Sequence, residues 1–550
     1  MGKVYVDDQE LEIGDEPLNG IEAARMLGIE VPHYCWHKGL TVVASCRMCL
    51  VETGTKNAET GKVAMFPKVV PACQTPAKDG TVFITNSEKV QKARALVEEL
   101  LLMDHPIDCP ICDKAGECLL QDYHFKYGQS ERRLDVKPFS TPRRDLGDTV
   151  TLFVKRCVMC TRCVRFTREV SGTSELMVVK RGNSEEIDVF RDTAGNPIAP
   201  LKNKLSGNVV DLCPVGALGD KDFLYKQRVW YMKSHKGVCA GCSQGCSIHV
   251  DENQDHVYRL KPRENQAINK WWMCDEGRYG WQYVNREDRF RGPWQRDGQN
   301  WNHAEWTVLI PKLRAELEKA GKLAALFSPF MTVEEAYVLA KLMRELDPNA
   351  FLALGPVPVE GTDESFPGGF TIRAEKCPNK KGVSEVLKSF GALNDYDAFL
   401  AKCDSGEVQG VWVSAGYKEP WVDEAAALKI SRAPLVIVSD LFRSPLSEKA
   451  KYVLPATAFT EKDGSFVNTL GILQSFRWSV RSPGACRAEA GVIQQLRGVK
   501  GLYKSGVVLA EVAREAPFFG AVSDGVPELG LDLKVNQLAG AGVGGASGLV

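Results

Sequence analysis

The sequence predicts a multidomain protein with a small α+β unit first, a cysteine-rich middle and an α/β unit last. Three observations lead to this prediction. The chain has 550 residues, enough for roughly three to four domains of ordinary size. Fifteen of its 18 cysteines lie in the first 274 residues, in tight groups. Beyond residue 274, strand-like apolar runs alternate with helical patterns.

Composition excludes several classes of function. The hydrophobic share of 44% and the charged share of 25% are those of an ordinary globular protein. The 69 basic and 70 acidic residues leave a net charge of −1, so bulk charge cannot hold a nucleic acid or an anionic membrane. No apolar stretch approaches the roughly 18 residues of a spanning helix. The first residues show no apolar export signal, so we expect a reducing compartment and metal sites rather than disulfides.

The pattern of residues 1–85 predicts a small β-rich unit. Val4, Val6, Leu11 and Ile13 fall in short strand-like runs, and the pattern from Gly20 to Leu27 predicts a helix closed by Gly28. An amphipathic helix is predicted over 88–103, and it must end at His105-Pro106 because proline breaks helices. Its apolar stripe consists of Val90, Ala93, Leu96, Val97, Leu100 and Leu101.

The last part of the chain has the alternating pattern of a parallel α/β sheet. Strands are predicted at 322–329, 410–416 and 434–440, and helices at 332–346 and 422–430. The final dozen residues are rich in glycine and are predicted to form a flexible tail.

The first cysteine set is Cys35, Cys46, Cys49 and Cys73. Several cysteines in one loop with a remote fourth are typical of ferredoxins that hold a [2Fe–2S] cluster, and four soft thiolates satisfy two tetrahedral irons. The alternative is a zinc site that uses the Cys46 and Cys49 pair. The β-rich context and the Cys-Arg-Met-Cys-Leu-Val-Glu stretch favour the ferredoxin interpretation.

The second set is His105, Cys109, Cys112 and Cys118. Three cysteines leave a [4Fe–4S] cluster one ligand short, and His105 lies four residues before Cys109, where its imidazole can supply the fourth bond. The plainer interpretation of His105 is a surface residue or a helix cap. Replacing one thiolate by a neutral imidazole makes a cluster less negative, so its reduction potential should rise.

The third set is Cys157, Cys160, Cys163 and Cys213. The first three follow the C-x2-C-x2-C run of two-cluster ferredoxins, in which a remote cysteine followed by proline completes a cluster. Cys213 precedes Pro214 and fills that role, whereas Thr167 occupies the position where the run would supply a ligand to a second cluster. We therefore predict one [4Fe–4S] cluster here, with zinc as the weaker alternative.

The fourth set is Cys239, Cys242, Cys246 and Cys274. Its spacing is not the two C-x-x-C pairs of a zinc ribbon, so a [4Fe–4S] cluster is favoured over zinc. Three isolated cysteines are interpreted as buried or idle thiols (Cys377, Cys403 and Cys486). Three histidines near the sets are assigned surface or supporting hydrogen-bond roles (His33, His37 and His124).

These stretches resemble the large iron–sulfur subunit of respiratory NADH:quinone oxidoreductase, or complex I. The resemblance covers residues 1–290 and rests on Val-Pro-His-Tyr-Cys, His-Pro-Ile-Asp-Cys-Pro-Ile-Cys, Gly-Glu-Cys-x-Leu-Gln-Asp, Cys-x-x-Cys-Thr-Arg-Cys-Val-Arg-Phe and Val-Asp-Leu-Cys-Pro-Val-Gly-Ala-Leu. It implies that the histidine and three cysteines of the second set hold a [4Fe–4S] cluster. It also implies that the fourth set matches an extra cluster of some family members, off the main electron path.

Residues 235–480 resemble a reduced molybdopterin-oxidoreductase domain. Cys-Asp-Glu-Gly-Arg-Tyr at 274–279 and the stretch at 453–469 carry that likeness. The resemblance implies a scaffold that has lost its cofactor, so no molybdopterin is expected. The predicted domains are a 2Fe-2S ferredoxin-like β-grasp at 1–85, 4Fe-4S units at 86–140, 141–230 and 231–290, an α/β scaffold at 291–535 and a tail at 536–550.

The resemblance implies an electron-relay subunit with no catalytic side chain of its own. One [2Fe–2S] and three [4Fe–4S] clusters would carry electrons from a flavin on a partner subunit towards quinone, and the sixteen residues of the four sets would be the only metal ligands. Other peripheral-arm subunits would be the partners, on the cytoplasmic side of a bacterial inner membrane, with no nucleic acid. The alternatives are an iron–sulfur subunit of an NAD-linked formate dehydrogenase or hydrogenase, and a zinc-stapled scaffold with no redox role.

Overall fold

The computed structural model describes residues 2–131, 133, 137, 139–182, 184–298 and 300–534. The chain forms two compact units. Unit 1 consists of residues 1–232 and 366–370, and unit 2 of residues 233–365 and 371–550. Among the described helices, none combines the length and the apolar character needed to cross a membrane. The predicted tail at 536–550 lies outside the described residues.

Unit 1 is built from short elements. Its helices are Gly20–Met26 (α1), Glu88–Leu102 (α2), Leu119–Tyr127 (α3), Arg162–Glu169 (α4) and Asn208–Leu212 (α5). Its strands are Gly2–Val6 (β1), Gln9–Ile13 (β2), Leu18–Asn19 (β3), Leu50–Lys56 (β4), Val63–Met65 (β5), Val70–Pro71 (β6), Pro76–Ala77 (β7), Thr81–Ile84 (β8), Arg144–Asp145 (β9), Val150–Leu152 (β10), Leu176–Val179 (β11), Glu186–Arg191 (β12), Pro197–Ala199 (β13) and Leu218–Asp220 (β14).

The first sheet has the predicted β-grasp arrangement. Its strand order is β2-β1-β8-β4-β5, with β6 beside β4, and β1 runs antiparallel to β2 but parallel to β8. Helix α1 begins at the Asn19 cap, and the chain leaves it through Gly28 at a φ of 74°. Val4, Val6 and Phe83 are buried in a core that includes α1, so the alternation in the sequence correctly places the inner face.

Helix α2 matches the predicted bounds to within one residue, but only part of its predicted apolar stripe is buried. Val90, Arg94 and Glu98 face inward, whereas Leu96 and Leu100 are 46% and 66% exposed. Polar partners explain the difference. Glu98 accepts a hydrogen bond from the Tyr34 hydroxyl, and the Arg94 guanidinium lies 5.1 Å from the centroid of the Tyr127 ring. Polar groups can be buried when they are paired. A pattern of apolar residues therefore does not show which polar residues of a helix face the core.

Unit 2 contains longer elements. Its helices are Asp275–Tyr279 (α6), Trp306–Ala320 (α7), Val333–Leu346 (α8), Lys380–Ser389 (α9), Tyr396–Asp404 (α10), Glu424–Ile430 (α11), Glu489–Leu496 (α12) and Ser505–Glu515 (α13). Its strands are Lys233–Val238 (β15), Ser247–Asn253 (β16), His256–Pro262 (β17), Trp294–Asp297 (β18), Asn300–His303 (β19), Leu323–Phe327 (β20), Phe351–Leu354 (β21), Glu364–Ser365 (β22), Thr371–Ile372 (β23), Gly410–Ser414 (β24), Leu435–Asp440 (β25), Tyr452–Pro455 (β26), Gly464–Val467 (β27), Ile472–Phe476 (β28) and Leu531–Asp532 (β29).

A seven-stranded sheet forms the centre of unit 2. Its order is β19-β18-β26-β25-β24-β20-β21, and the five strands from β26 to β21 are parallel, as the alternating pattern predicts. The edge hairpin β18–β19 joins this sheet antiparallel and was not predicted, because its polar sequence lacks an apolar alternation. Thr332 and Glu335 form a capping box at the start of α8, close to the predicted helix start.

A buried ion pair joins two loops of unit 2. Arg289 Nη1 lies 2.5 Å from Glu461 Oε1, and the two side chains are 0% and 2% exposed. Arg289 also donates to the Val284 carbonyl, and Glu461 accepts from the Ala458 amide. Both members of the pair therefore have further hydrogen bonds, the condition under which a buried pair persists.

Removing one member of this pair should destabilise unit 2. We expect Arg289→Met to lower the free energy of unfolding by about 3–5 kcal/mol, because it leaves the Glu461 carboxylate buried without a counter-charge. Arg289→Met/Glu461→Met should recover most of the loss. Denaturant titration followed by tryptophan fluorescence measures the effect in unit 2, which holds nine of the 11 tryptophans.

The control is Arg286→Met, because Arg286 is exposed and pairs with the exposed Asp288. Its loss should cost less than about 1 kcal/mol. Equal losses at positions 286 and 289 would show that burial of the pair does not matter.

Candidate metal centres

The first set lies around the β-grasp sheet of unit 1. Cys35 and Cys46 belong to the loop between α1 and β4, Cys49 directly precedes β4, and Cys73 lies between β6 and β7. The Cys46 and Cys73 thiols hydrogen-bond Cys35 and hold the pKa of the Cys35 thiol far below its usual range. Cys73 also hydrogen-bonds Cys49 and lowers the pKa of that thiol. All four predicted residues are thus brought together.

The second set lies around the start of α3. Cys109 opens a 3-10 turn at Cys109–Ile111, Cys112 follows it, and Cys118 is the residue before α3. Cys112 and Cys118 are buried and Cys109 is exposed. Burial, together with the nearby Cys112, raises the pKa of the Cys118 thiol to about 11. The pKa of Cys112 is also raised by burial, and Cys109 adds to the rise.

His105 lines a cavity of about 370 Å³ together with Cys109 and Cys118. Burial lowers the pKa of His105 to about 4, and the charge of Arg156 contributes to that shift, so the imidazole is neutral near pH 7. Its Nδ1 atom is buried without a hydrogen-bond partner in the described part of the chain. A neutral imidazole with an unused nitrogen fits a metal ligand. His124 lines the same cavity and also has a buried, unpartnered Nδ1 among the described residues.

The third set spans the start of α4 and the end of α5. Cys157 and Cys160 precede α4, Cys163 lies in its first turn, and Cys213 follows α5. Burial raises the pKa of the Cys163 thiol, and the charges of the other three cysteines add to the rise. The four predicted residues therefore come together, with Cys160, Cys163 and Cys213 buried and Cys157 half-buried.

The fourth set lies in unit 2. Cys239, Cys242 and Cys246 belong to the turn between β15 and β16, and Cys274 is the cap of α6. Burial raises the pKa of the Cys246 thiol, and the other three cysteines contribute to that shift. The buried Lys376 ammonium lies 2.5 Å from a Glu276 carboxylate oxygen, in the helix that Cys274 caps.

Residues in the left-handed backbone region shape all four cysteine loops. Arg47 has a φ of 62°, Thr161 of 57°, Gly116 of 88° and Gly245 of 62°. Short loops with such residues turn backbone N–H groups towards enclosed atoms. The Met159 amide lies 3.4 Å from Cys157 Sγ, and the Gly277 amide lies 3.3 Å from Cys274 Sγ. Hydrogen bonds to sulfur of this kind tune the potential of a cluster.

Contacts between the second and third sets were not predicted. A Cβ built on Gly216 would lie 2.1 Å from Cys112 Sγ, so only glycine fits there. The Leu119 amide donates to the Pro214 carbonyl at 2.9 Å, which joins the residue after Cys118 to the residue after Cys213. The sequence signal for this contact is the glycine of the Cys-Pro-Val-Gly stretch, since the spacing of the ligands does not itself require a glycine there.

The remaining predicted residues belong to none of the four sets. Cys377 and Cys403 are fully buried, and Cys486 is half-buried with its thiol 3.2 Å from the Phe290 carbonyl oxygen. His33 and His37 are half-buried, and His33 Nδ1 lies 2.8 Å from the Val31 carbonyl oxygen. Among the described residues, no three His, Cys, Asp or Glu side chains are arranged as they would be around a single metal ion.

The cavities directly beside the fourth set are small. The cavity lined by Cys239 and Glu276 measures about 10 Å³, and the neighbouring cavity lined by Met331 and Thr457 about 20 Å³. Each is about the size that one water molecule needs. A larger cavity of about 660 Å³ lies beside the loops after β24 and β25, but none of the fourth-set cysteines lines it.

Five family models match the chain in succession. They are a 2Fe-2S iron-sulfur cluster binding domain at residues 3–88, the NADH-ubiquinone oxidoreductase-G iron-sulfur binding region at 94–133, the NADH-quinone oxidoreductase subunit 3 ferredoxin-like domain at 147–219, the molybdopterin oxidoreductase Fe4S4 domain at 232–286 and molybdopterin oxidoreductase at 389–499. Each predicted ligand set falls within one of the first four matches.

Curated relatives agree with these family matches. The G subunit of the NADH-quinone oxidoreductase of Rickettsia felis is 32% identical over 353 residues, which cover 64% of this chain and 50% of that protein. The NADH-ubiquinone oxidoreductase 75 kDa subunit of Reclinomonas americana is 32% identical over 362 residues, which cover 65% and 50%. A chain of the NAD+-reducing [NiFe]-hydrogenase crystal structure is 24% identical, with a TM-score of 0.34, over 42% of this chain and 91% of that chain.

These matches define a multidomain iron–sulfur protein with a 2Fe-2S domain, 4Fe-4S ferredoxin-like domains and a molybdopterin-oxidoreductase domain. The predicted fold class is confirmed. Over 353 to 362 residues the chain is similar to the large iron–sulfur subunit of NADH:quinone oxidoreductase, both to a bacterial G subunit and to a 75 kDa subunit. It spans about half the length of the curated relatives it matches.

Substitution of His105 tests the fourth ligand of the second set. We expect His105→Ala to weaken the second-set cluster and to change its low-temperature EPR signal, because a ligand is lost. His105→Cys should keep the iron but lower the reduction potential, because a thiolate adds negative charge. His124→Ala is the matched control, since His124 lines the same cavity. An EPR spectrum unchanged by both His105 variants would rule out this ligand.

Gly216→Ala tests the contact with Cys112. The added methyl group would collide with Cys112 Sγ, so we expect the second set to lose up to about four irons, the content of one [4Fe–4S] cluster. Gly14→Ala is the control, because nothing lies within 4 Å of its built Cβ. Iron analysis and EPR measure the loss, and full iron content in Gly216→Ala would contradict the close approach.

Proposed function

We propose that the chain relays single electrons within an NADH:quinone oxidoreductase, from a flavin-bearing subunit towards quinone. The observation that carries the proposal is the gathering of four separate sulfur-rich ligand sets, each within its own family match. In this proposal the sets hold one [2Fe–2S] and three [4Fe–4S] clusters, and the domain boundaries are those predicted from the sequence. Bound clusters of these kinds accept and release one electron at a time.

In this proposal the chain's own residues bind the clusters, shield them from solvent and tune their reduction potentials. The thiols must lose their protons when iron binds, because only the thiolate is a ligand. Burial makes the free thiolates of the third and fourth sets unfavourable, so loading with iron should release protons. Backbone amides such as those of Met159 and Gly277 then donate to sulfur. We assign no general acid, base or nucleophile to this chain.

Exposed apolar residues support assembly with partner subunits. Ile107, Phe125 and Leu100 are 80%, 82% and 66% exposed near the second set. Ile107 and Phe125 line the same cavity, and exposed apolar side chains that lie close together are typical of protein interfaces. We propose that the chain lies on the cytoplasmic side of a bacterial inner membrane, held there by partner subunits of the complex, and that it binds neither nucleic acid nor molybdopterin.

Metal analysis of the anaerobically purified chain tests the proposal. We expect about 14 irons and as many labile sulfides per chain, with no stoichiometric zinc or molybdenum. Replacing Cys239 and Cys242 by serine should remove about four irons, and replacing Cys35 and Cys46 about two, because each pair supplies half of one ligand set.

Cys486→Ser is the matched control, because the serine hydroxyl can keep the hydrogen bond to the Phe290 carbonyl and Cys486 belongs to no set. A colourless, iron-free chain or one with stoichiometric zinc would refute the electron-relay function. Stoichiometric molybdenum would favour the formate dehydrogenase alternative.

A further inference from the structure

Two buried arginines lie between the first and third cysteine sets. Arg162 and Arg165 belong to α4, three residues apart and therefore on one face of the helix. Their side chains are almost enclosed, since the two residues are only 6% and 3% exposed. Removing a guanidinium from water is costly unless opposite charge compensates it.

Arg165 bonds to both cysteine-bearing loops. Its Nη2 atom donates to the Cys35 carbonyl at 2.5 Å and to the Cys160 carbonyl at 3.2 Å. Its Nη1 atom donates to the Thr41 carbonyl, further along the first-set loop. One side chain thus connects the backbone of a first-set cysteine to that of a third-set cysteine.

Arg162 makes a similar connection about one helical turn from Arg165. Its Nη2 atom donates to the Trp36 carbonyl at 2.6 Å, next to Cys35. Its Nη1 atom donates to the Leu212 carbonyl at 3.2 Å, next to Cys213. We call Arg162 and Arg165 together the arginine bridge.

The positive charges of the arginine bridge are not neutralised by side chains that bond them. All five acceptors are neutral carbonyl oxygens, and within the described ranges neither arginine forms an ion pair. Both Nε atoms are buried without a hydrogen-bond partner in the same part of the chain. Two buried cations without bonded carboxylates therefore flank two groups of thiols.

We propose that the arginine bridge is the built-in counter-charge of the first and third metal centres, and that it raises the reduction potential of both while holding their loops at a fixed separation. The inference rests on the proposed function, since it requires bound clusters. The bridge residues are positioning residues, because they bond backbone carbonyls of the segments that carry the cysteines.

The physical reason is electrostatic. A cluster held by four thiolates carries net negative charge, and one-electron reduction makes that charge larger. A nearby guanidinium stabilises the reduced form more than the oxidised form, and the effect is strong in a poorly polarisable interior. Arginine also suits the site because its planar fork bonds several carbonyls at once and cannot lose its proton.

Redox titration of the anaerobically loaded full chain, followed by EPR, tests the proposal. With dithionite as the electron donor, we expect Arg165→Met to lower the ratio of reduced to oxidised first and third centres about tenfold at a fixed ambient potential. This change equals about 59 mV for a one-electron couple. Arg165→Lys keeps the charge and should lower the ratio less than about threefold. The second centre is the internal reference.

Arg144→Met is the matched control, because Arg144 pairs with Glu186 and Asp188 and bonds no cysteine loop among the described residues. It should leave both potentials unchanged. The proposal is overturned if Arg165→Met keeps its iron with unchanged potentials, or if Arg165→Lys falls as far as Arg165→Met.

A second variant tests the same proposal if Arg165→Met does not retain its clusters. The Glu169 carboxylate accepts from the Thr41 amide and hydroxyl, beside the carbonyl that Arg165 bonds. Glu169→Gln keeps one acceptor oxygen, which can serve the Thr41 amide, and removes a negative charge, so the reduced-to-oxidised ratio should rise about threefold. No rise overturns the inference. An iron-free wild-type chain would instead refute the proposed function itself, so the two failures are distinguishable.

Discussion

The burial of sulfur ligands in short loops is the constraint on which the architecture around the four sets depends. Most of the sixteen predicted ligands are enclosed, and burial raises the pKa of thiols such as Cys163 and Cys246. The loops that carry them contain little regular structure. Their shape depends on residues in the left-handed backbone conformation, on hydrogen bonds to backbone carbonyls and on buried charged side chains. Iron bound to the thiolates would complete this stabilisation.

Helix starts recur next to the cysteines. Cys118 directly precedes α3, Cys274 caps α6, and Cys163 lies in the first turn of α4. The unpaired N–H groups and the positive end of a helix dipole favour a negative sulfur at this place. The same helices then lead into packed structure, so each of these three sets is attached to a rigid element on at least one side.

Unit 2 combines one such set with a large sheet. Three cysteines of the fourth set lie in the turn of a hairpin, while the seven-stranded sheet and its helices form the extensive cores of the unit. The cavities beside the set hold about one water molecule each. The sheet and its helices thus form the packed body of the unit, and buried pairs such as Arg289–Glu461 join its loops.

Much of the fold could be predicted, and the misses have physical causes. The parallel strands at Leu323–Phe327, Gly410–Ser414 and Leu435–Asp440 are continuous apolar runs, which buried strands require. The buried face of α2 was predicted only in part, because Tyr34, which pairs with Glu98, lies 64 residues away in the sequence. No local pattern contains such a partner.

The sequence by itself predicted which residues come together in each set, because iron–sulfur clusters are typically held by cysteines at restricted spacings within a loop. Only the tertiary structure decided how the sets of unit 1 are joined. Arg165 bonds carbonyls 130 residues and 5 residues away, and Gly216 lies against Cys112. Carbonyl acceptors are present at every residue, so the sequence does not mark which ones a buried guanidinium will bond, and only folding brings them within reach.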